Sequence, residues 1–100
     1  MIAVKKPLFS LGQVLATPGA LEALRQSRQG VWEFISRHAA GNWGIVDADD
    51  MAANEAAVRD GSRILSAYNT NQNKKIWVIT EAVDDDGNRA ATTVLLPSEY

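Results

Sequence analysis

The sequence predicts an α+β domain, with two to three N-terminal helices packed on a C-terminal three-stranded antiparallel β-meander. Three observations carry this expectation. The apolar period is helical up to Gly61 and strand-like after it. Two polar turn clusters, 69–73 and 84–88, cut the second part into three short strands. A length of 100 residues, 46% of them apolar, suits one folded domain, 1–100, and is too apolar for a disordered segment.

Residues 1–10 read as an extended lead-in, because Pro7 disfavours helix in the residue before it. Residues 8–16 are ambiguous between a short strand and a helical turn. Thr17-Pro18 marks a helix start: threonine caps free amides, and proline at the first helical position loses no hydrogen bond. That helix places Leu21 and Leu24 on one face and ends between Ser27 and Gly30. A second helix over 31–39 carries Val31, Phe34, Ile35 and His38 as one buried stripe. A third, over 49–60, opens on Asp47, Asp49 and Asp50, which suit the positive end of a helix, and stops at Gly61.

Beyond Gly61 the pattern alternates. In 63–69, Leu65 and Ala67 share one face and Ile64, Ser66 and Tyr68 the other. Residues 75–83 are β-branched or aromatic on both faces, as expected of the central strand. Asp-Gly at 86–87 signals a hairpin, and Pro97 ends a third strand over 91–96. The predicted core is Leu21, Leu24, Phe34, Ile35, Trp77 or Val78, and Leu95.

Composition narrows the chemistry. The absence of cysteine excludes disulfides, thiolate zinc sites and cysteine nucleophiles. A net charge of −2 argues against a dedicated nucleic-acid binder, whose affinity comes largely from neutralising phosphates. There is no apolar run of membrane-spanning length and no secretory pattern at the start, so a cytoplasmic location is expected. No phosphate loop, nucleophile elbow or His-Glu-x-x-His motif is present, and no metal or cofactor is expected. Helix capping accounts for Asp47, Asp49 and Asp50 without a metal. The consecutive Asp84, Asp85 and Asp86 lack the alternating ligands of a calcium loop.

Two functional readings lead, with a nucleic-acid-binding regulator as a weaker third. Trp43, held between Gly41-Asn42 and Gly44, suggests an exposed aromatic anchor for a protein partner, with Asn42 beside it, or equally a plug at the edge of a small core. Alternatively His38, Arg63, Lys75 and Thr93 could form a metal-free ribonuclease site, histidine acting as base and the cations stabilising the phosphorane. The order of helices before meander matches the layout of barnase and RelE-like ribonucleases, an analogy of fold alone.

Three segments carry a family resemblance. They are Leu11-Gly12-Gln13-Val14-Leu15-Ala16-Thr17-Pro18-Gly19-Ala20-Leu21, then Ser36-Arg37-His38 with Gly41-Asn42-Trp43-Gly44, and finally Ile76-Trp77-Val78-Ile79-Thr80-Glu81-Ala82 with the stretch from Thr92 to Tyr100. Together they resemble a family of small uncharacterised proteins from bacterial plasmids, prophages and integrated elements, over nearly the whole chain. The family pattern has Gly-Asp-Trp-Gly where this chain has Asn42, and a short Ala-Asp-Arg-Ser link where this chain has the longer 83–89. The resemblance assigns no activity. It implies an accessory protein of mobile DNA that binds a host protein, defence systems included, without doing chemistry.

Overall fold

A computed structural model of the protein describes residues 6–100, so the first half of the expected lead-in lies outside the described residues. The chain runs β1 (Gln13–Ala16), α1 (Pro18–Ser27), α2 (Val31–Ala39), α3 (Ala48–Asp60), β2 (Ile64–Asn69), β3 (Lys75–Thr80) and β4 (Ala91–Leu95), then a short 3-10 turn at Pro97–Glu99. The α+β class and the three helices match expectation. The sheet differs: it has four strands in the order β1-β4-β3-β2, and β1 runs parallel to β4. The meander β2-β3-β4 is antiparallel as expected, with β3 between its neighbours, but it is not the whole sheet. Four residues flanked by Gly12 and Thr17 form a strand only because β4, some eighty residues away, offers an edge. β3 also stops at Thr80, earlier than expected, and resumes only as the bridge between Val83 and Arg89.

The helix boundaries follow local chemistry. The Thr17 hydroxyl accepts from the Ala20 amide, and Pro18 opens α1. Arg28, in the left-handed region at φ 57°, closes α1, and the Gln29 amide returns to the Leu24 carbonyl. Asp47 caps α3 by accepting from the Asp50 amide at 2.8 Å. Gly61, at φ 86°, ends α3 with its amide on the Ala57 carbonyl. Thus Asp47 and Asp84 serve backbone amides; Asp84 accepts from the amides of Asp86 and Asn88.

One sheet face packs on α1 and α2. Phe34, Ile35, Leu24 and Ala20 meet Tyr68, Ile76, Val78 and Val94 there. A second cluster, Phe9, Trp43, Ala57 and Ile64, lies between α3 and the same face. Leu24, Phe34, Ile35, Val78 and Leu95 are buried as expected, and Trp77 is half-buried. Leu21 is a correction: it is 50% exposed, because α1 buries the Ala20–Ala23–Leu24 side of its surface.

The two sheet edges are treated differently. On β2, the Asn54 carboxamide pairs with both the amide and the carbonyl of Leu65, at 3.1 and 2.8 Å. Ala67 is bonded through its amide to the Trp43 carbonyl and through its carbonyl to the Ile45 amide. A helix side chain and a loop thus occupy the edge that another strand would take. On β1 no such cover exists among the described residues.

Truncation should distinguish the core from the misassigned leucine. Phe34→Ala is expected to cost about 3–5 kcal/mol in urea unfolding, whereas Leu21→Ala should cost no more than about 0.5 kcal/mol in the monomer. Equal losses would contradict this packing.

Candidate functional site

The only histidine is the centre of a buried polar chain. His38 is 0% exposed. Its Nδ1 lies 2.6 Å from the Ser66 hydroxyl and its Nε2 lies 2.8 Å from the Thr80 hydroxyl. Thr80 is 2.7 Å from the Thr92 hydroxyl, which reaches the Leu11 carbonyl at 2.7 Å. A carbonyl only accepts, so Thr92 must donate to Leu11. Thr92 then has no proton left for Thr80, so Thr80 donates to Thr92 and accepts from His38. Nε2 therefore carries the proton, Nδ1 accepts, and Ser66 donates into it. One tautomer satisfies the whole chain.

The rest of the pocket is apolar or cationic. Phe9 and Trp43 stand edge-on to the imidazole, with ring centroids 5.2 and 5.9 Å away. Burial, with a smaller contribution from the Arg89 charge, pushes the His38 pKa down from 6.5 to about 4. Arg89 is itself buried and is held by the carbonyls of Ala57, Ser62 and Glu81 at 2.7–2.9 Å. Ala57 lies in the last turn of α3, where carbonyl dipoles favour a cation.

The ribonuclease constellation is not brought together. Register places Ser66 and Thr80, the partners of His38, on the helix-covered face of the sheet. Alternation then puts Lys75 on β3 and Thr93 on β4 on the opposite face. Arg63, just before β2, stacks over Tyr100 on that same opposite side. The sheet stands between the histidine and the three residues meant to work with it. Ser66 and His38 have the spacing of a nucleophile and base, but both are sealed from solvent and the Ser66 proton is already committed.

Trp43 takes the core alternative, which corrects the exposed-anchor reading. It is 3% exposed, with Nε1 donating to Glu55 at 3.0 Å and its ring stacked on Phe9. The glycine after it serves backbone contact: at Gly44, φ 74°, an added Cβ would fall 2.0 Å from the Ala67 carbonyl oxygen. Asn42 stays exposed, and its carbonyl accepts from the Tyr68 hydroxyl at 2.5 Å.

The opposite sheet face carries the surface groups that sequence reading missed. Trp77 and Tyr100 meet edge to face at 5.8 Å. Arg63 donates to the Tyr100 hydroxyl and lies over its ring, 5.6 Å from the centroid. Tyr100 is 69% exposed. A shallow groove lined by Asp50, Ala53, Asn54, Arg63 and Leu65 adjoins this trio. The 3-10 turn that delivers Tyr100 is fixed by Glu99, whose carboxylate accepts from the Thr17 hydroxyl and the Gly19 and Leu96 amides. Those bonds, Thr17 foremost, hold its carboxyl below the usual range. The available signal was parity: residues 63, 75 and 77 share the face opposite α1 and α2.

Among the described residues, no group of three histidine, aspartate or glutamate side chains converges as a metal site, and no helix is long and apolar enough to cross a membrane. No family model, curated protein or solved structure matches this chain.

The histidine imposes a pH dependence of known sign. Between pH 6.5 and 4 the unfolded chain binds a proton at His38 that the folded chain refuses, so stability is fully present above pH 6.5 and falls as pH drops toward 4. At about 1.4 kcal/mol per unit the loss is about 3 kcal/mol. Urea unfolding at pH 7 and 4.5 checks this, and His38→Leu should lack the slope while being less stable at pH 7. Equal wild-type stability at both pH values would contradict the assignment.

Proposed function

We propose that this protein acts without catalysis, by binding another protein through the surface around Trp77, Tyr100 and Arg63, on the sheet face away from α1 and α2. The observation that carries this reading is the trio itself: two aromatic rings packed edge to face, with a guanidinium over the tyrosine, on the side of the sheet away from α1 and α2. Tyrosine, tryptophan and arginine supply most interface hot spots, because they bring large rigid area together with a polar handle. Here Tyr100 is already oriented by Arg63 and Trp77, so little side-chain entropy is left to lose on contact. The resemblance to mobile-element proteins directs the search to host proteins, defence proteins among them. The sealed His38 removes the reason for the ribonuclease alternative, since a general base must reach its substrate.

A photo-crosslinking amino acid at Tyr100 should capture a discrete host protein, while the same probe at Asp85, in the exposed loop before β4, should not. Tyr100→Ala and Arg63→Ala should remain folded and weaken that complex at least about 30-fold, the equivalent of a 2 kcal/mol hot spot. Crosslinks to RNA instead of protein would support a nucleic-acid platform. Metal-free RNA cleavage abolished by His38→Ala would overturn the proposal.

A further inference from the structure

We infer that β1 is a homodimerisation edge, which pairs antiparallel with β1 of a second copy across a two-fold axis. The inference rests on the backbone of the β1 edge; Leu15 projects from the same sheet face as Trp77, two strands away.

The hydrogen-bond direction along β1 defines what is free. The Gln13 amide donates to the Ala90 carbonyl and the Thr17 amide to the Val94 carbonyl, so the odd positions face β4. The even positions, Val14 and Ala16, therefore point their amides and carbonyls away from the sheet. Among the described residues, none of these groups has a backbone partner. The strand contains no lysine, glutamate, aspartate or proline, the residues that usually blunt an edge. The opposite edge, in contrast, is closed by Asn54 and by residues 43–45.

Geometry selects the occupant and the register. If Val14 faces Ala16 of the second copy, and Ala16 faces Val14, both free amides and both free carbonyls on each strand are satisfied. Leu15 then meets Leu15 of the second copy as a non-hydrogen-bonded pair, where side chains approach most closely. Leu15 is 42% exposed for so short a strand, and this contact would bury it. Slipping the pairing one way brings Gly12 into the ladder, and its φ of +62° is not strand backbone. Slipping it the other way brings in Pro18, which has no amide and already begins α1. Only the register centred on Leu15 uses strand backbone throughout, and it is self-complementary, as a two-fold contact requires. The product is one continuous sheet made from two four-stranded halves.

The test is oligomeric state by light scattering on the full chain. Wild type should run at twice 10.9 kDa at micromolar concentration. Leu15→Lys places like charges opposite each other and should raise the dissociation constant at least about tenfold, with an unchanged circular dichroism spectrum. Mixing Leu15→Lys with Leu15→Glu should restore a dimer. The chain has no cysteine, so Leu15→Cys gives a clean readout. It should form an intermolecular disulfide on oxidation, because the Cα spacing of such a pair suits one, whereas Tyr100→Cys should not. A monomeric wild type at all concentrations would overturn the inference. So would a dimer indifferent to charge at position 15, or failure of the Lys and Glu variants to pair.

Discussion

A neutral imidazole in a dry core must have both nitrogens satisfied, and much of this fold is arranged around that requirement. His38 comes from α2, Ser66 from β2, Thr80 from β3 and Thr92 from β4, and the chain ends on the Leu11 carbonyl just before β1. One line of hydrogen bonds thus ties a helix to three strands and to the segment entering the fourth. Each hydroxyl spends its single proton in the same direction, so removal of one member leaves a buried donor or acceptor exposed to its full desolvation cost. Such a chain makes register specific, because a one-residue slip of β2, β3 or β4 would turn its hydroxyl to the other face.

Arg89 has a related role at the far end of that pocket. A buried guanidinium with no carboxylate within salt-bridge distance among the described residues would be costly, yet three carbonyls and the C-terminal dipole of α3 surround it. Those carbonyls belong to α3, to the link into β2 and to the end of β3. The cation therefore joins the three segments through their backbone. Its charge also works against protonation of His38, so the two buried bases support one protonation state.

The sheet divides the molecule into two kinds of surface. The face toward α1 and α2 is filled and internally satisfied, and offers nothing to a ligand. The other face holds its aromatic and cationic groups where a partner can meet them. The same contrast separates the edges: β2 is occupied by Asn54 and a loop, whereas β1 presents polar backbone and an exposed leucine. Both proposals above arise from these asymmetries, and neither involves a reactive side chain.

Much of this was legible in sequence. Thr17-Pro18, Asp47 and Gly61 predict helix ends because caps act through neighbours within a few residues, and the alternation from 63 onward predicts which strand residues share a face. The helical period put Phe34, Ile35 and His38 on one stripe, which is how they lie. Strand β1 was legible only as one of two alternatives over 8–16, because its partner β4 is near the opposite end of the chain. Trp43 looked exposed because glycines flank it, but that freedom serves the approach of backbone to β2. Arg63, Lys75 and Thr93 were grouped with His38 by residue type, and strand parity placed the sheet between them. Local chemistry determined the helices, the hairpin strands and their faces, since those depend on short-range sterics and capping. Only the tertiary structure decided which face is covered, which edge stays open and which polar groups are sealed, since those depend on contacts between residues far apart in the chain.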